Sequence, residues 1–408
     1  MGRVRTLLRR LARGPGTALL LVATALYGLN LRGPIVAIAP VIDDARSALG
    51  VGRAAAGLLT SLPVACFAVV APLASVLIAR AGIERAIALS LAAILLGTLV
   101  RAAGGFGLAL AGTVIIGSAI TIGNVAVPVL IGRDFGPDAA IVTALYAAVL
   151  NIGAMVTSVL TAPLAGLIGW RAAITAWGAL AVVAGAAWAR WSRVAALRAP
   201  AGPSAAAGPA WPTPPVVAPA LWRRPFVWGL TAAFGAQAFS YYGVTAWLPT
   251  LLRDEIGLGA SVAGASASIF QITAVAGAFG VPALLHRRLS PSAVLLIVCA
   301  LWITLPLGLL TAPGAWPLWC ALGGAAQGGG FTAIFSAVVR RAVDQRDSRR
   351  ISAAVQGGGY AIAAIGPAVV GAVHDATGGW SAPLVAVAGV IAVMALAGSA
   401  GCRAPRTG

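Results

Sequence analysis

Long apolar segments recur along the whole sequence, and their length limits the possible folds more strictly than any other feature. A helix needs about 20 residues to cross the hydrocarbon core of a bilayer. Segments of about that length span, in approximate limits, residues 17–41, 54–79, 86–103, 106–132, 139–163, 171–189, 225–250, 258–285, 291–311, 315–339, 351–373 and 381–401. The bilayer core holds no water that could satisfy an open strand edge. We therefore predict an all-α membrane protein with 12 transmembrane helices.

The composition excludes a soluble globular protein. Hydrophobic residues make up 60% of the chain, charged residues only 9%, and the mean hydropathy is +0.95. The formal net charge of +18 could suggest nucleic-acid binding, but the arginines lie in short segments between the spans, so we expect no nucleic-acid partner. The 4 cysteines are scattered and predict neither a disulfide framework nor a metal site. We expect no cofactor.

One long interruption divides the apolar segments into two groups of six. It covers about residues 190–224 and is rich in Pro, Ala and Gly, which is typical of a linker. We therefore predict an N-terminal six-helix bundle over residues 1–191, a cytoplasmic linker over 192–223 and a C-terminal six-helix bundle over 224–408.

The two groups of spans are related by an internal repeat. At an offset of 207 residues, glycines and arginines of the first group meet glycines and arginines of the second: Gly57 and Gly264, Arg80 and Arg287, Gly117 and Gly324, Gly123 and Gly330, and Arg133 and Arg340. A parallel repeat of six helices is typical of transporters in which two bundles rock about a solute site near the midplane. The repeat therefore favours transport by alternating access over a channel or a receptor.

The arginines are distributed unequally between the two sides of the predicted spans, and the chain contains no lysine. With the N-terminus inside, 22 arginines lie on the cytoplasmic side, and five lie outside, namely Arg46, Arg53, Arg101, Arg171 and Arg253. An excess of basic residues marks the cytoplasmic side. We expect both termini to be cytoplasmic and the protein to be a monomer in the lipid bilayer.

Arg32 lies inside the first predicted span, which is an unfavourable place for a charge. An arginine near the bilayer centre costs about 2.5–3.5 kcal/mol on insertion scales, and it is not deprotonated in proteins. Pro34 removes a backbone donor and Gly33 eases bending, so we expect a bend here. We interpret this stretch as one wall of a solute site. The alternative is an arginine near the helix end whose guanidinium extends to the headgroups.

Other polar side chains also fall at membrane depth. The candidate solute-binding residues, besides Arg32, are Tyr27, Asn30, Asn124, Asn151, Gln237, Tyr241, Gln271, Gln327, Gln356 and Tyr360. The alternative for each is a hydrogen bond between helices, worth about 0.6 kcal/mol on average. Asn30 and Arg32 are two residues apart, so a regular helix points only one of them toward the solute.

The acidic residues are absent from the middle of the predicted spans. All 10 lie in loops or at span ends, so the predicted centre is positive and favours a small anionic solute. A membrane-embedded enzyme would need clustered reactive side chains at membrane depth, and the sequence has none there, so we predict no enzymatic activity. The alternative function is a multidrug-type exporter of small apolar or aromatic compounds, with Phe239, Tyr242, Trp247 and Phe270 lining a broad cavity.

Several local motifs resemble the cyanate permease and 2-nitroimidazole transporter branch of the major facilitator superfamily. They are Leu29-Asn30-Leu31-Arg32-x-Pro34, Leu58-Leu59-Thr60-x-Leu62-Pro63, Gly82-x-Glu84-Arg85, Gly123-Asn124-x-x-x-Pro128, Arg133-Asp134-Phe135 and Gly169-Trp170-Arg171. The resemblance implies a transporter of the bacterial inner membrane for cyanate-like anions, organic acids or small nitro-aromatic compounds. We assign gating or structural roles to Gly33, Pro34, Arg80, Glu84, Arg85, Pro128, Arg133 and Asp134.

Overall fold

Helices account for almost all of the residues that the computed structural model describes, which are 15–135, 139–198, 223–287, 289–342 and 345–403. In chain order the α-helices of this part are α1 (Pro15–Val36), α2 (Ile42–Leu49), α3 (Arg53–Val69), α4 (Ala71–Ala81), α5 (Ile83–Ala102), α6 (Phe106–Phe135), α7 (Ala139–Ile168), α8 (Trp170–Ala176), α9 (Gly178–Arg198), α10 (Pro225–Ile256), α11 (Ala260–His286), α12 (Pro291–Thr311), α13 (Trp316–Arg341), α14 (Gln345–Ala363), α15 (Gly366–Thr377) and α16 (Ser381–Arg403). The predicted all-α membrane fold is confirmed.

The number of membrane spans follows from the length and apolar character of these helices. Ten helical stretches of the described chain are long and apolar enough to cross a bilayer, and the bent pair α3 and α4 adds an eleventh if it is one span. The remaining predicted span is α10, which has 32 residues and is roughly 48 Å long at 1.5 Å per residue. It is less apolar, and most of it is buried against α11, α14, α15 and α16. The twelfth span stays a prediction.

Prolines explain two of the breaks between helices. Helix α1 ends at Val36, whose carbonyl would accept from the N–H of residue 40 in a longer helix, and that residue is Pro40. Pro34 lies inside α1, and the Ala37 N–H still donates to the Gly33 carbonyl at 2.8 Å. A 3-10 turn over Ala39–Val41 and the short helix α2 follow. The axes of α3 and α4 differ by 60°, and proline occupies the first turn of α4. Proline cannot donate to the preceding turn and its ring clashes with that turn, so the backbone bends.

The predicted repeat reappears in the backbone. Gly50 ends α2 with φ +66°, and Gly257 ends α10 with φ +73°. Both residues adopt the left-handed conformation that glycine tolerates best, and they stand 207 residues apart, which is the offset predicted from the sequence. In each half, a second glycine, Gly52 or Gly259, then precedes the next helix.

Each half has its own apolar core. One cluster of buried side chains lies within the first half and includes Leu31, Ile120 and Trp188. A larger cluster lies mainly within the second half and reaches from Phe226 to Met394. Helix α9 continues to Arg198, seven residues into the predicted linker, and the linker residues 199–222 lie outside the described part of the chain.

The most extensive contacts between the halves are those of α3 with α15 and of α7 with α11. Glycines permit the close approach at both crossings. A Cβ on Gly57 would lie 2.7 Å from the carbonyl oxygen of Pro367, and one on Gly264 would lie 3.0 Å from the carbonyl oxygen of Ser158. Ser158 Oγ donates to the Gly264 carbonyl at 3.0 Å. Small residues therefore bring the two backbones into direct contact.

Candidate solute-binding site

Arg32 lies where the two halves meet. Its Nη1 donates to Oδ1 of Asn151 on α7 at 2.8 Å. Its Cζ lies 5.9 Å from the ring centroid of Tyr241 on α10, in the second half. The Arg32 side chain is half-buried. The guanidinium is therefore oriented toward the interface between the halves.

Close packing of α1 and α7 fixes the Arg32–Asn151 pair. A Cβ on Gly153 would lie 2.5 Å from the carbonyl oxygen of Leu29, and one on Gly33 would lie 3.1 Å from Thr157 Cγ2. Glycine is thus required on both helices for this separation. The two packed turns place Asn151 within hydrogen-bond distance of Arg32.

Tyrosines form the electrostatic surroundings of Arg32. The chain has 5 tyrosines, and four of them, Tyr146, Tyr241, Tyr242 and Tyr360, lie near enough to the Arg32 guanidinium for an electrostatic interaction with it. None of the ion pairs among the described residues involves Arg32. The charge of Arg32 is therefore not neutralised within this part of the chain.

Tyr27 and Asn30 are directed elsewhere, although they lie within five residues of Arg32. The hydroxyl of Tyr27 is 2.7 Å from Oγ of Ser90, and this hydrogen bond is buried in the first half. Asn30 Nδ2 donates to the carbonyl oxygens of Leu26 at 2.9 Å and Leu180 at 3.2 Å. Both side chains connect helices, and the two-residue spacing separates Asn30 from Arg32 as expected for a helix.

Some of the remaining candidate residues contact a residue near Arg32, and others lie away from it. Gln271 Nε2 donates to the hydroxyl of Tyr241 at 3.4 Å, and the ring of Tyr241 contacts Arg32. Gln237 Nε2 donates to the backbone oxygen of Gln327 at 3.4 Å, and both glutamines are buried. Gln356 is half-buried one turn before Tyr360 on α14, whereas Asn124 and Pro128 are exposed on α6.

Ion pairs join the halves at one end of the molecule, which we call the closed end and define by Asp43, Arg53, Asp254 and Asp375. Arg53 Nη2 lies 3.6 Å from Asp254 Oδ2, and Arg53 Nη1 lies 3.9 Å from Asp375 Oδ1. The backbone N–H of Ala54 donates to Asp375 Oδ2 at 3.2 Å. One arginine of the first half is thus paired with two helices of the second half.

Asp43 forms the second part of the closed end. It accepts a hydrogen bond from Thr250 Oγ1 at 2.8 Å and lies 3.7 Å from Arg253 Nη1, both in the second half. Arg46 of its own helix lies 3.5 Å away. Within the described residues, three ion pairs join the halves, and all three lie at the closed end.

At the opposite end, which carries Arg198 and Arg223 and is called the linker end, the ion pairs stay within one half. Arg133 Nη2 lies 2.7 Å from Glu84 Oε1, and Arg133 Nε lies 2.8 Å from Asp134 Oδ1. These three predicted gating residues are therefore brought together by the fold. The predicted residues Arg80 and Arg85 are exposed at the same end.

Arg101 was placed by the sequence among the arginines outside the membrane, but it is buried, with 1% of its surface exposed. Its Nη1 donates to the carbonyl oxygen of Pro34 at 2.8 Å. Nε and Nη2 have no hydrogen-bond partner among the described residues. Arg101 therefore binds the end of α1, two residues beyond Arg32. Sequence reasoning missed it because it stands at the end of a span, where an arginine normally reaches water.

Sequence reasoning also missed Tyr146 and assigned Tyr242 only to the exporter alternative. The signal that could have found both was the scarcity of tyrosine, since a residue type with 5 members in 408 positions is conspicuous at membrane depth. No periodicity could have shown that four of them surround one guanidinium.

Comparison with known proteins gives matches over nearly the whole chain. The family model described as Major Facilitator Superfamily matches residues 20–342. The 2-nitroimidazole transporter of Escherichia coli (strain K12) is 30% identical over 386 residues, which cover 94% of this chain and 95% of that protein. The cyanate transport protein CynX of the same organism is 28% identical over 372 residues, which cover 88% of this chain and 91% of that protein. An uncharacterized transporter of Bacillus subtilis (strain 168), YycB, is 31% identical over 384 residues, which cover 93% of this chain and 92% of that protein.

Solved structures share the fold at lower identity. A variant of the nucleoside transporter NupG superposes with a TM-score of 0.75 at 16% identity, covering 94% of this chain and 99% of that one. A D-xylose-proton symporter superposes with a TM-score of 0.74 at 12% identity, and the match covers 96% of this chain and 98% of that one.

Proposed function

This chain belongs to the Major Facilitator Superfamily, and from that membership we propose that it carries a small anionic solute across the cytoplasmic membrane by alternating access. It is a multi-pass membrane transporter and not an enzyme. The relatives are named for 2-nitroimidazole and for cyanate. Cyanate is an anion, and the oxygens of a nitro group carry partial negative charge, so both fit a positively charged site.

The charge of Arg32 is the observation from which we infer that the solute is an anion. The guanidinium is half-buried between the halves, and it forms no ion pair with a carboxylate of the described chain. Removing a charge from water without a partner costs several kcal/mol. An anion bound at Arg32 would offset that cost, while the hydrogen bond from Arg32 to Asn151 keeps the guanidinium in place.

The contacts between the halves support alternating access. Arg32 comes from the first half and Tyr241 from the second, so a rocking motion of the halves changes the access to both. The ion pairs of Arg53 and Arg253 with the opposite half hold the closed end together. With both termini in the cytoplasm, as the arginine distribution favours, the closed end faces outside. The solute then exchanges with the cytoplasm in this state.

The exporter alternative is not favoured. It requires a broad aromatic cavity with Arg32 paired away, yet Arg32 forms no ion pair with a carboxylate among the described residues. Trp247 and Phe270 are each 1% exposed. The indole of Trp247 donates to the Pro367 carbonyl at 2.8 Å, and the ring of Phe270 stacks on Trp302 at 5.5 Å. These aromatic side chains belong to the helix packing of the second half.

Ligand-dependent thermal stability of the detergent-purified chain tests the anion site. A ligand that binds the folded state raises the apparent stability by RT ln(1 + [L]/Kd). We expect cyanate, acetate or benzoate to raise the Tm of the native chain, Arg32→Gln to abolish the shift, and Arg32→Lys to retain part of it. The matched control is Arg80→Gln, an exposed arginine at the linker end. A Tm shift that persists in Arg32→Gln would refute the anion site.

A further inference from the structure

A groove lies on the outer surface of the first half, between α5 and α9, and we call it the α5–α9 groove. Its volume is about 590 Å³, and its lining runs from Glu84 to Leu95 on α5 and from Ala181 to Ser192 on α9. Large apolar side chains on both helices remain exposed nearby, with Leu89 and Val183 each at 52%. In a membrane protein such a surface faces lipid, so the groove opens toward the bilayer.

Small residues leave the space of the α5–α9 groove open. Ala88 and Ala92 line it from α5, and both are exposed. They are four residues apart and therefore share one helix face. Gly185 lines it from α9, and a Cβ on this glycine would meet no atom within 4 Å. The groove is therefore a property of the two helix faces.

The length of the groove matches one leaflet of a bilayer. From Glu84 to Leu95 the lining of α5 is roughly 17 Å long at 1.5 Å per residue, and the lining of α9 has the same length. The hydrocarbon core of a bilayer is about 30 Å thick, so one leaflet contributes roughly 15 Å. An acyl chain of one leaflet therefore fits the groove from end to end.

The polar side chains of the lining are gathered at the linker end. Glu84 and Arg85 stand at the start of α5, and Ser192 stands near the end of α9. Trp188 connects the two helices there, because its indole N–H donates to the Glu84 carbonyl at 3.0 Å. Toward Leu95 the lining is apolar. The groove thus has a polar mouth and an apolar interior, which is the distribution of polarity in a phospholipid.

The mouth of the groove offers two arginines, one from each helix. Arg85 is exposed, and so is Arg193, which lies one turn beyond Ala189 on the same side of α9. No ion pair among the described residues includes either of them. The carboxylate of the mouth, Glu84, is 2.7 Å from Arg133 Nη2 and is therefore already paired. Both guanidinium groups are available to an anionic group.

From the length, polarity and charge of the α5–α9 groove we propose that it binds an anionic phospholipid. One acyl chain lies along Ala88, Ala92 and Gly185, and the phosphodiester contacts Arg85 and Arg193. Arginine suits this contact because its planar fork of N–H groups pairs with two phosphate oxygens. With the linker end in the cytoplasm, as the arginine distribution favours, the headgroup belongs to the leaflet that carries anionic lipids. The lipid site is separate from the candidate solute site.

Two phospholipids with identical acyl chains test the headgroup. Dioleoyl phosphatidylglycerol is an anion, whereas dioleoyl phosphatidylcholine is a zwitterion. Native mass spectrometry of the detergent-purified full chain measures the Kd of each bound lipid. We expect phosphatidylglycerol to bind roughly fivefold or more tightly than phosphatidylcholine, since a basic residue near a membrane surface contributes about 1 kcal/mol.

A pair of double variants tests the position of the headgroup. Arg85→Gln/Arg193→Gln should lower the preference for phosphatidylglycerol to about twofold or less, because the contacts to the phosphodiester are removed. The matched control is Arg80→Gln/Arg287→Gln, which removes the same charge from two exposed arginines of the linker end that do not line the groove. The control should keep the preference of the native chain.

A second pair of variants tests the position of the acyl chain. Gly185→Leu places a side chain in the open space of the groove, so both lipids should bind roughly fivefold or more weakly, which corresponds to the loss of one to two buried CH₂ groups. The control is Gly280→Leu on α11, which is likewise half-buried and whose Cβ also meets no atom within 4 Å. Ala189→Leu fills the same groove one turn later and replaces Gly185→Leu if that variant does not fold.

Each outcome decides one part of the proposal. Equal affinities of the native chain for the two lipids would overturn the anionic headgroup. An equal loss of preference in the two double variants would assign the preference to net charge and overturn the site at the mouth. Lipid binding that is as strong in the groove-filling variant as in Gly280→Leu would overturn the acyl chain in the groove. Thermal unfolding of each variant before lipid is added verifies that it is folded.

Discussion

Arg32 and Asn151 are 119 residues apart in the chain, yet Nη1 of the arginine donates to Oδ1 of the asparagine at 2.8 Å. An amide oxygen orients the guanidinium without neutralising it. A carboxylate at the same position would also orient it, but it would cancel the charge. This difference between an amide and an acid distinguishes an anion site from a structural ion pair.

The nearly isosteric change Asn151→Asp tests that distinction. It keeps the hydrogen bond and adds a negative charge, so we expect Arg32 to be neutralised and anion binding to be lost. Asn151→Leu should weaken binding roughly tenfold or more, because hydrogen bonds to charged groups contribute about 1.5–3 kcal/mol. Titration with benzoate measures both variants. Benzoate affinity retained in Asn151→Asp would show that the charge of Arg32 is not used.

Arg53 should control how often the closed end opens. It pairs with Asp254 and Asp375 across the halves, whereas Arg46 pairs with Asp43 on its own helix. Partly exposed pairs contribute roughly 0.2–1 kcal/mol each. Arg53→Gln should therefore increase the open population by about two- to tenfold, and Arg46→Gln should have less effect.

Distances between spin labels on Ser47 and Glu255 measure that population. Both residues are exposed at the closed end, on opposite halves. A longer-distance component that grows in Arg53→Gln and not in Arg46→Gln is the expected result. Equal distance distributions in the two variants would contradict a gating role for the Arg53 pairs.

Gly57 should be needed for closure. An alanine Cβ there would lie 2.7 Å from the Pro367 carbonyl oxygen, so α3 and α15 must separate to accept it. We expect Gly57→Ala to increase the open population in the same distance measurement. The control is Gly280→Ala on α11, where a Cβ meets no atom within 4 Å. If the two alanine variants behave alike, the contact between α3 and α15 does not limit closure.

Arg101 should affect solute binding more than stability. Replacing it by methionine leaves the Pro34 carbonyl without this donor, at a cost of about 1–3 kcal/mol. The same change relieves the burial of a charge, which costs several kcal/mol. We therefore expect Arg101→Met to keep or raise the Tm, while benzoate affinity falls because the end of α1 beside Arg32 is less restrained. A lowered Tm with unchanged affinity would assign Arg101 to folding alone.

Anion exchange should be faster than net uptake. An empty carrier must pass through an occluded state with Arg32 uncompensated, whereas a loaded carrier returns with the charge paired. We expect proteoliposomes preloaded with benzoate to take up labelled benzoate at least about tenfold faster than empty ones, which corresponds to about 1.4 kcal/mol. Equal rates would mean that the return of the empty carrier is not limited by the charge.

The sequence by itself determined the helices and their repetition. The thickness of a bilayer fixes the length of a span, so the apolar segments predicted the helices with small errors at their ends. Two spans are broken by proline. Helix α1 ends at Val36, four residues before Pro40, while the apolar segment continues to about residue 41, and the segment 54–79 divides into α3 and α4 with axes 60° apart. The sequence also singled out Arg32, since the cost of a charge in a span does not depend on the other helices.

Only the tertiary structure decided which side chains share a site. Asn30 faces a helix of its own half and Arg32 faces the second half, because the rotation of α1 is set by its packing on α7. Arg101 is buried by contacts with helices remote in sequence, and its position at a span end predicted the opposite. Apolar periodicity reports which segments cross a membrane. The direction of a side chain depends on contacts between segments that lie far apart in the chain.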